Sequence, residues 1–331
     1  MRISATSKTV TVVAATAAIL LTLSGCASAD DSASVPDGCE KNYTVGFSQP
    51  TGEAAYVKAL KHQVEIAAGA NPCVTLLLDN TQQNNLEAQR ATIESWVTQG
   101  VDAIVLLPVD AKALDGLREQ QQNQGGKWLV YSGPQEGTDG SVGFDSVTSG
   151  NLIAEDAVAW YEENYPEGGA SAAVTTLTVL PSFVGRWEGP QKKLEAAGID
   201  IVSTQDCADA TCGLQIAEDA LRQHPDIRVF LGFNDDAALG ALRAVEAAGL
   251  DQDEVYVAGQ DGTLEGLEAV KKGGAYRASA AISLTELAKA IVDTAIEAVD
   301  SDEVVDATVT TELASLEDPE RVDELIAAFE K

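Results

Sequence analysis

Histidine and basic residues are scarce in this sequence. Only His62 and His224 occur in 331 residues, and neither has the spacing of a metal-ligand pair, which argues against a zinc site. The side chain that most often serves as a general base is therefore nearly absent. The 21 lysines and arginines face 52 aspartates and glutamates, for a net charge of −31. Such a surface repels phosphate backbones, so we expect no nucleic-acid partner and attribute the acidity to solubility.

Long apolar runs and prolines are also few. The apolar run from about Val10 to Leu23 is shorter than the ~20 apolar residues that a membrane-spanning helix needs, and no later segment is longer. Only 10 prolines and a hydrophobic content of 45% exclude a disordered chain. The length exceeds that of one ordinary hydrophobic core, so we expect two domains.

The N-terminus has the layout of an export signal. Arg2 and Lys8 come before the apolar run, which ends in the sequence Leu23-Ser24-Gly25-Cys26. This ending resembles a bacterial lipobox, in which the cysteine is acylated. We therefore predict a signal peptide over 1–25, a lipid anchor at Cys26 and a flexible tether over 26–40. The alternative is an ordinary secretion signal with an incidental cysteine. Either way we expect an extracytoplasmic protein, held on the outer face of the bacterial membrane only by its lipid if Cys26 is acylated.

The other four cysteines form an even set, which fits export to an oxidising compartment. Cys39 and Cys73 each lie just before a predicted strand, and parallel neighbouring strands would bring both thiols to one sheet edge. Cys207 and Cys212 are five residues apart in one predicted loop. Three pairings are possible, and we favour 39–73 with 207–212 over the others and over a zinc site.

Short runs rich in Val, Ile and Leu alternate with amphipathic stretches from Tyr43 onward. This pattern is typical of parallel sheets covered by helices on both faces. It falls into two blocks, the first ending near Phe144, and predicts an α/β fold with two doubly wound parallel sheets. The predicted strands are 43–47, 74–78, 103–107, 128–131, 173–179, 227–231, 255–258 and 278–282, and the clearest helices are 56–68, 86–99, 149–163, 237–248 and 285–299.

Ligands of doubly wound sheets bind at the carboxyl ends of the strands, so the residues that directly follow the strands are the candidates. Their amide, carboxylate and guanidinium groups suit the vicinal hydroxyls of a sugar, which donate and accept together. Aromatic faces suit its C–H side. These candidates are Ser48, Gln49, Ser132, Arg186, Trp187, Asn234 and Asp261, with Trp187 equally compatible with a core position. No nucleophile elbow, phosphate-cradling glycine loop or metal-ligand cluster occurs, so we do not expect an enzyme.

Several polar residues at strand ends have a structural interpretation. Asp110, Asp145 and Asp235 are in the position of helix N-caps. Asn234 is compatible with either a turn or a ligand contact. Arg186 opens a predicted helix, where a cation is poorly placed for the helix dipole, and this favours pairing with a carboxylate or a ligand.

At these strand ends the chain resembles the ribose-binding-protein-like family of solute-binding proteins, the extracytoplasmic receptors of ABC sugar importers. The resemblance runs from about residue 43 to 316 and is most specific in Arg186-Trp187-Glu188-Gly189, Gly232-Phe233-Asn234-Asp235 and Gly259-Gln260-Asp261-Gly262-Thr263. It implies two lobes joined by three hinge crossings, which close on the ligand and then dock on the permease subunits. The implied N-terminal lobe is 41–144 plus 284–308, and the C-terminal lobe is 145–283 plus 309–331. We expect a monomer.

The resemblance also implies site residues. The family's sugar contacts map onto Arg186, Asn234, Asp261 and, on the first helix, Tyr56. The chain departs from the family pattern at Ser132-Gly133, where Asp-Arg is common, at Ala54-Ala55, at Ala208, and at Ile282 or Ser283. Glu53 is a candidate for the missing carboxylate. These departures lie mostly on the N-terminal lobe and predict a ligand other than ribose itself.

Together these observations predict an extracytoplasmic lipoprotein that binds a monosaccharide or polyol, without cofactor or metal, and delivers it to an ABC permease. Two alternatives stay open: a lipoprotein that presents its ligand to a membrane sensor, and a receptor for a non-sugar molecule such as a nucleoside. A transcription regulator with the same core would carry a basic DNA-reading domain where this chain has its export signal.

Overall fold

The computed structural model describes residues 38–52, 54–81, 84–131 and 133–330. The predicted signal peptide, the lipid anchor at Cys26 and most of the tether lie outside these residues, as do Glu53 and Ser132. The strands are β1 (Tyr43–Ser48), β2 (Val74–Leu78), β3 (Ala103–Leu106), β4 (Lys127–Tyr131), β5 (Gly140–Phe144), β6 (Ser171–Thr176), β7 (Ile201–Asp206), β8 (Ile227–Leu231), β9 (Tyr256–Asp261), β10 (Tyr276–Ile282), β11 (Val305–Val309) and β12 (Thr311–Ser315). The α-helices are α1 (Ala55–Gly69), α2 (Leu86–Gln99), α3 (Ala111–Asn123), α4 (Ser146–Asn164), α5 (Gly185–Ala196), α6 (Ala210–Gln223), α7 (Asp235–Ala247), α8 (Leu264–Lys272), α9 (Leu284–Asp300) and α10 (Pro319–Ala327).

The described strands form two sheets of six strands each. The first has the order β11-β5-β4-β3-β1-β2 and the second β12-β10-β9-β8-β6-β7. All neighbouring strands are parallel except β10 and β12, which are antiparallel. Neighbouring parallel strands need a crossover connection, usually a helix, that brings the chain back to the end of the sheet where the previous strand began. These helices pack on the faces of the sheets. The predicted fold class, two doubly wound parallel sheets, is confirmed. We call the first sheet and its helices the N-terminal lobe and the second the C-terminal lobe.

The chain passes between the lobes three times. The crossings lie between β5 and α4, between β10 and α9, and between β11 and β12. Helix α4 packs on β9 and β10 of the C-terminal lobe, whereas α9 packs on α1 and β5 of the N-terminal lobe. The exact domain boundaries stay a prediction.

Side-chain caps mark where many helices begin. Asp110 Oδ1 accepts from the Ala113 amide and starts α3, and Asp145 accepts from Val147 and Thr148 and starts α4, as predicted. The prediction for Asp235 was wrong. Asn234 is the N-cap of α7, its Oδ1 accepting from the Ala237 amide, and Asp235 is the first helical residue, fully buried.

The contact between β1 and α2 depends on one glycine. A Cβ on Gly46 would lie 2.6 Å from Cε3 of Trp96. Because no side chain stands there, the buried Trp96 indole lies directly on the strand backbone. This close approach is a reason for glycine inside an otherwise apolar strand.

Both favoured disulfides are present. Cys39 and Cys73 pair with their Cα atoms 5.6 Å apart, and Cys207 and Cys212 pair at 5.8 Å. The first bond forms where β1 and β2 begin side by side, as the sequence predicted. Cys212 is not in a loop, however: it lies in the first turn of α6.

The strand predicted over 173–179 ends earlier, at Thr176. Leu177 and Leu180 form part of a connection toward α5, in which Val179 is 65% exposed. In the part of the chain that the structure describes, no helix has both the length and the apolarity needed to cross a membrane.

Candidate functional site

A cavity of about 140 Å³ lies between the two lobes. Every strand end that faces it is a carboxyl end, so the cavity occupies the crevice where doubly wound sheets bind ligands. A void of roughly 150 Å³ holds one benzene molecule, so this cavity has the size for one small ring. The N-terminal lobe contributes Gln49, Thr51, Ala54, Tyr56, Val57, Leu107, Tyr131 and Phe144, and the C-terminal lobe contributes Leu177, Leu180, Phe183, Arg186, Ala208, Phe233, Asn234, Asp236 and Asp261.

The centre of the C-terminal wall is an ion pair. Arg186 Nη2 donates to Asp261 Oδ1 at 2.6 Å, and the side chains are only 3% and 8% exposed. Burial raises the pKa of Asp261, while the guanidinium acts against that rise. Buried ion pairs contribute little to stability on balance, because desolvation offsets the attraction. The pair lies in the wall of the cavity, which makes both residues candidates for ligand contact.

Three phenylalanines surround the Arg186 guanidinium. Its Cζ lies 4.7 Å from the ring centroid of Phe144, 5.3 Å from that of Phe233 and 5.8 Å from that of Phe183. Phe144 ends β5 of the N-terminal lobe and stacks on Phe183 of the C-terminal lobe, with centroids 5.6 Å apart. The cation is thus held between aromatic rings from both lobes, which fixes its direction.

The N-terminal wall carries two phenols. The hydroxyls of Tyr56, on α1, and Tyr131, at the end of β4, lie 2.8 Å apart. Burial raises the pKa of both phenols, so both stay protonated at neutral pH. A pair of protonated phenols offers a ligand a donor and an acceptor together.

Two buried donors of the cavity wall lack a partner. Gln49 Nε2 and Arg186 Nε have no hydrogen-bond acceptor among the described residues, and Gln49 is only 2% exposed. An unpaired buried donor costs about 1–3 kcal/mol. Both donors belong to residues that line the same cavity, so a ligand with acceptor oxygens would satisfy them.

Asp235 holds the turn that carries Asp261. Its Oδ2 accepts from the amide and hydroxyl of Thr263, and its Oδ1 accepts from Tyr276 and Ser279. Burial raises the pKa of Asp235 to about 7, and the nearby Asp261 adds to the rise. Asp261 itself has a φ of 112°, which is strained for a residue with a side chain. The Asp235 network fixes Thr263, two residues after this strained aspartate.

Asn234 joins the wall to the second disulfide. Its Nδ2 donates to the carbonyl of Ala208 at 2.9 Å, while its Oδ1 caps α7. Ala208 follows Cys207 and lines the cavity. Asn234 is therefore a helix cap that lies at the cavity, and its contact with a ligand stays a prediction.

The structure does not bring three predicted residues to this cavity. Ser48 is fully buried behind it, where its Oγ donates to Asp79 at 2.5 Å. Trp187 packs against Phe233 on the core side. Ser283 caps α9 and lines a different cavity. Glu53 and Ser132 lie outside the described residues.

The residues of the cavity that the sequence analysis did not mark include Tyr131, Phe144 and Asp236. Tyr131 and Phe144 stand at the last position of their strands, where the sequence pattern marked only core. Asp236 lies one residue after the predicted cap. A signal was available for Tyr131, because a buried tyrosine usually needs a partner for its hydroxyl.

A second cavity, of about 170 Å³, is lined in part by residues of α1, α9 and α10. Its lining includes Leu267, Leu284 and Phe329. Neither of the unpartnered donors described above lines it, so the interlobe cavity is the better candidate site. Within the described ranges, no group of three His, Cys, Asp or Glu residues is arranged to hold a metal ion.

Comparison with known proteins agrees with this geometry. The model of a periplasmic binding protein domain matches residues 45–303, and the chain belongs to this family. The chain is 27% identical to the ribose import binding protein RbsB of Bacillus subtilis over 237 residues, 71% of this chain and 74% of that protein. It is 31% identical to RbsB of Salmonella typhimurium over 196 residues, 58% of this chain and 64% of that protein, or just under two thirds of its length.

A solved structure shares the fold. A solved ABC transporter solute binding protein of Bacillus halodurans with bound myo-inositol matches with a TM-score of 0.75 at 24% identity, over 88% of this chain and 99% of that one. The resemblance predicted from the strand-end residues is confirmed. The matched relatives are sugar-binding proteins of ABC transporters and not enzymes.

Proposed function

We propose that this protein is an extracytoplasmic receptor that binds one monosaccharide or polyol between its lobes and delivers it to an ABC permease. The observation that carries the proposal is the cavity wall itself. It combines a buried Arg186–Asp261 pair, a Tyr56–Tyr131 phenol pair and the unpartnered Gln49 Nε2. A polyhydroxylated ring supplies donors and acceptors for all of these groups, and its C–H face fits the aromatic walls.

The receptor works by a change in the population of two forms. The three crossings allow the lobes to separate, and a ligand that contacts both lobes favours the closed form. Micromolar affinity corresponds to about −8 kcal/mol. A few charge-assisted hydrogen bonds and one packed ring supply this after the cost of closure.

The remaining parts of the proposal concern location. The lipobox-like Leu23-Ser24-Gly25-Cys26 supports anchoring by a lipid on Cys26, and the two disulfides support an oxidising compartment. Mass spectrometry of the membrane fraction tests the anchor, because an acylated Cys26 would be the first residue of the mature chain. A mature chain that starts elsewhere and carries no lipid would overturn this part alone.

The binding proposal is tested by thermal unfolding of the chain truncated before Cys26, in the presence of pentoses, hexoses, polyols, nucleosides and amino acids. Ligands that bind only the folded state raise the midpoint by mass action. A shift with one sugar or polyol, confirmed by calorimetry and by unchanged ligand after incubation, is the expected result. A shift only with nucleosides or amino acids would overturn the sugar assignment, and turnover of the ligand would overturn the receptor assignment.

A further inference from the structure

The cavity contains a carboxylate that forms no hydrogen bond or ion pair with a described group. Asp236 lines the cavity at the start of α7, and its carboxylate makes no hydrogen bond or ion pair within the residues that the structure describes. The other two charged residues of the described lining, Arg186 and Asp261, already pair with each other. The lining therefore carries one negative charge in excess.

The surroundings of Asp236 make this charge unfavourable in the empty protein. Burial raises its pKa to about 6, and the carboxylates of Asp261, Glu265 and Asp209 add to the rise, while Arg243 opposes it. Closure of the lobes over a ligand would desolvate the group further. An ionised carboxylate in such a place needs a donor, and the cavity side is open to a ligand.

We propose that Asp236 is a specificity-determining residue, whose carboxylate accepts a hydrogen bond from a hydroxyl or ammonium group of the ligand and disfavours ligands with a carboxylate or phosphate there. This inference rests on the proposed function. The ligand is then a neutral or amine-bearing carbohydrate, and acidic sugars and sugar phosphates are rejected. Charge repulsion in a partly desolvated site is an effective means of rejection.

The stability of the empty protein distinguishes a binding role of Asp236 from a purely structural one. As an acidic residue in the first turn of α7, it would stabilise the helix through the dipole, and its loss would lower the stability of the empty protein. If the carboxylate is instead kept for the ligand, the Asp236→Asn variant is more stable than the wild type when empty. Residues that lower stability while serving binding are common in functional sites.

The sign of the pH effect follows from the raised pKa. The usual value of 3.8 rises to about 6 on folding, so the ionised form disfavours the folded state. The penalty is absent below about pH 4 and is complete above about pH 7. The stability gain of Asp236→Asn in the empty protein should therefore appear as the pH rises through this window.

The test compares matched probes that differ in charge: D-glucosamine, D-glucose and D-glucuronate, the corresponding galactose series, and D-ribose with ribose 5-phosphate. In the wild type, we expect the acidic member of each series to bind at least about tenfold more weakly than the neutral member. Asp236→Asn should reduce that ratio about tenfold, mainly by weakening the neutral and amino members. The matched control is Glu320→Gln, which removes an exposed first-turn carboxylate of α10 that does not line the cavity and should leave the ratios unchanged.

Each outcome has a distinct meaning. Acidic probes that bind as well as neutral ones, ratios unchanged in Asp236→Asn, or a loss of empty-state stability in that variant at pH 7 would each overturn the role of Asp236. If neutral sugars bind in those cases, the proposed function survives. If no carbohydrate or polyol binds the wild type, the proposed function fails and this inference fails with it.

Discussion

Arg186 and Asp261, 75 residues apart in sequence, form a hydrogen-bonded ion pair of 2.6 Å in the wall of the interlobe cavity. Both belong to the C-terminal lobe, and Phe144 of the N-terminal lobe lies against the guanidinium. Each buried charge is offset by the other, and Arg186 Nη1 also donates to the carbonyl of Phe233 at 3.2 Å. The pair therefore holds a fixed arrangement of donors and acceptors in the cavity wall.

The first prediction concerns this pair. Arg186→Ala and Asp261→Ala should each weaken binding of the carbohydrate that gives the largest thermal shift by about 2–4 kcal/mol, because the remaining partner is left buried and unpaired. Titration calorimetry measures the change, and circular dichroism checks that each variant folds. Arg222→Ala, which removes an exposed pair with Asp219, is the control and should keep wild-type affinity. Unchanged affinity in both cavity variants would mean that the ligand binds elsewhere.

The second prediction separates the two disulfides. The Cys39–Cys73 bond spans 34 residues and the Cys207–Cys212 bond spans five. The chain-entropy relation gives about 4 kcal/mol for the longer loop and about 2 kcal/mol for the shorter one. Chemical denaturation of the paired Cys→Ala variants measures these losses.

For ligand affinity we expect the reverse order: loss of the short disulfide should weaken binding more than loss of the long one. The short bond fixes Ala208, whose carbonyl accepts from Asn234 at the cavity, whereas the long bond lies at the opposite, amino end of β1. The Cys207→Ala and Cys212→Ala double variant should bind more weakly than the Cys39→Ala and Cys73→Ala double variant. Equal affinities would argue against a role for the short bond in shaping the site.

The third prediction concerns the contact between β1 and α2. Gly46→Ala should destabilise the protein by about 1–3 kcal/mol, because the new methyl group overlaps Trp96 and forces the indole or the strand to move. Gly116→Ala is the matched control. It lies inside α3 with no atom within 4 Å of the added Cβ, so it should raise stability by up to about 1 kcal/mol. Thermal unfolding measures the stability of both variants. If both substitutions changed stability by the same amount in the same direction, the close contact between Gly46 and Trp96 would be contradicted.

The fourth prediction concerns pH and the first crossing. Hydrogen bonds from Thr148 and Val147 lower the pKa of Asp145, so its ionised form stabilises the folded state. Asp145→Ala should cost about 1 kcal/mol at pH 7. This stabilisation is present above the ordinary carboxyl pKa of 3.8 and is lost as the pH falls through the lower folded value. Denaturation at pH 7 and pH 3 should show the difference between variant and wild type shrinking, and a constant difference would contradict the assignment.

The central strands were predictable from sequence because they are buried on both faces and consist of continuous apolar residues. β5, β7, β11 and β12 were not predicted. β7 and β11 are edge strands. β7 ends in three exposed residues and β11 exposes every second residue, whereas β5 contains two glycines. Such strands depend on partners far away in sequence, and a local pattern does not contain that information.

The same limit applies to the site. Arg186 and Asp261 could each be selected as strand-end residues with chemistry suited to hydroxyls, but their pairing depends on how β6, β8 and β9 are placed side by side. The roles of Asn234, Asp235 and Asp236 were harder to separate. Successive helical residues point about 100° apart, so Asn234 caps the helix, Asp235 is buried under the Asp261 turn and Asp236 lines the cavity.

The sequence by itself determined the alternation of strands and helices, the two sheets, the favoured cysteine pairs and the polar residues at the strand ends. These features follow from local sequence patterns: the periodicity of apolar residues and the spacing of the cysteines and polar residues. The tertiary structure alone decided which of those polar residues face one cavity, which form hydrogen bonds to the backbone, and which lack a partner. Those properties depend on the packing of two lobes whose chain crosses between them three times, and so on contacts between residues that are distant in sequence.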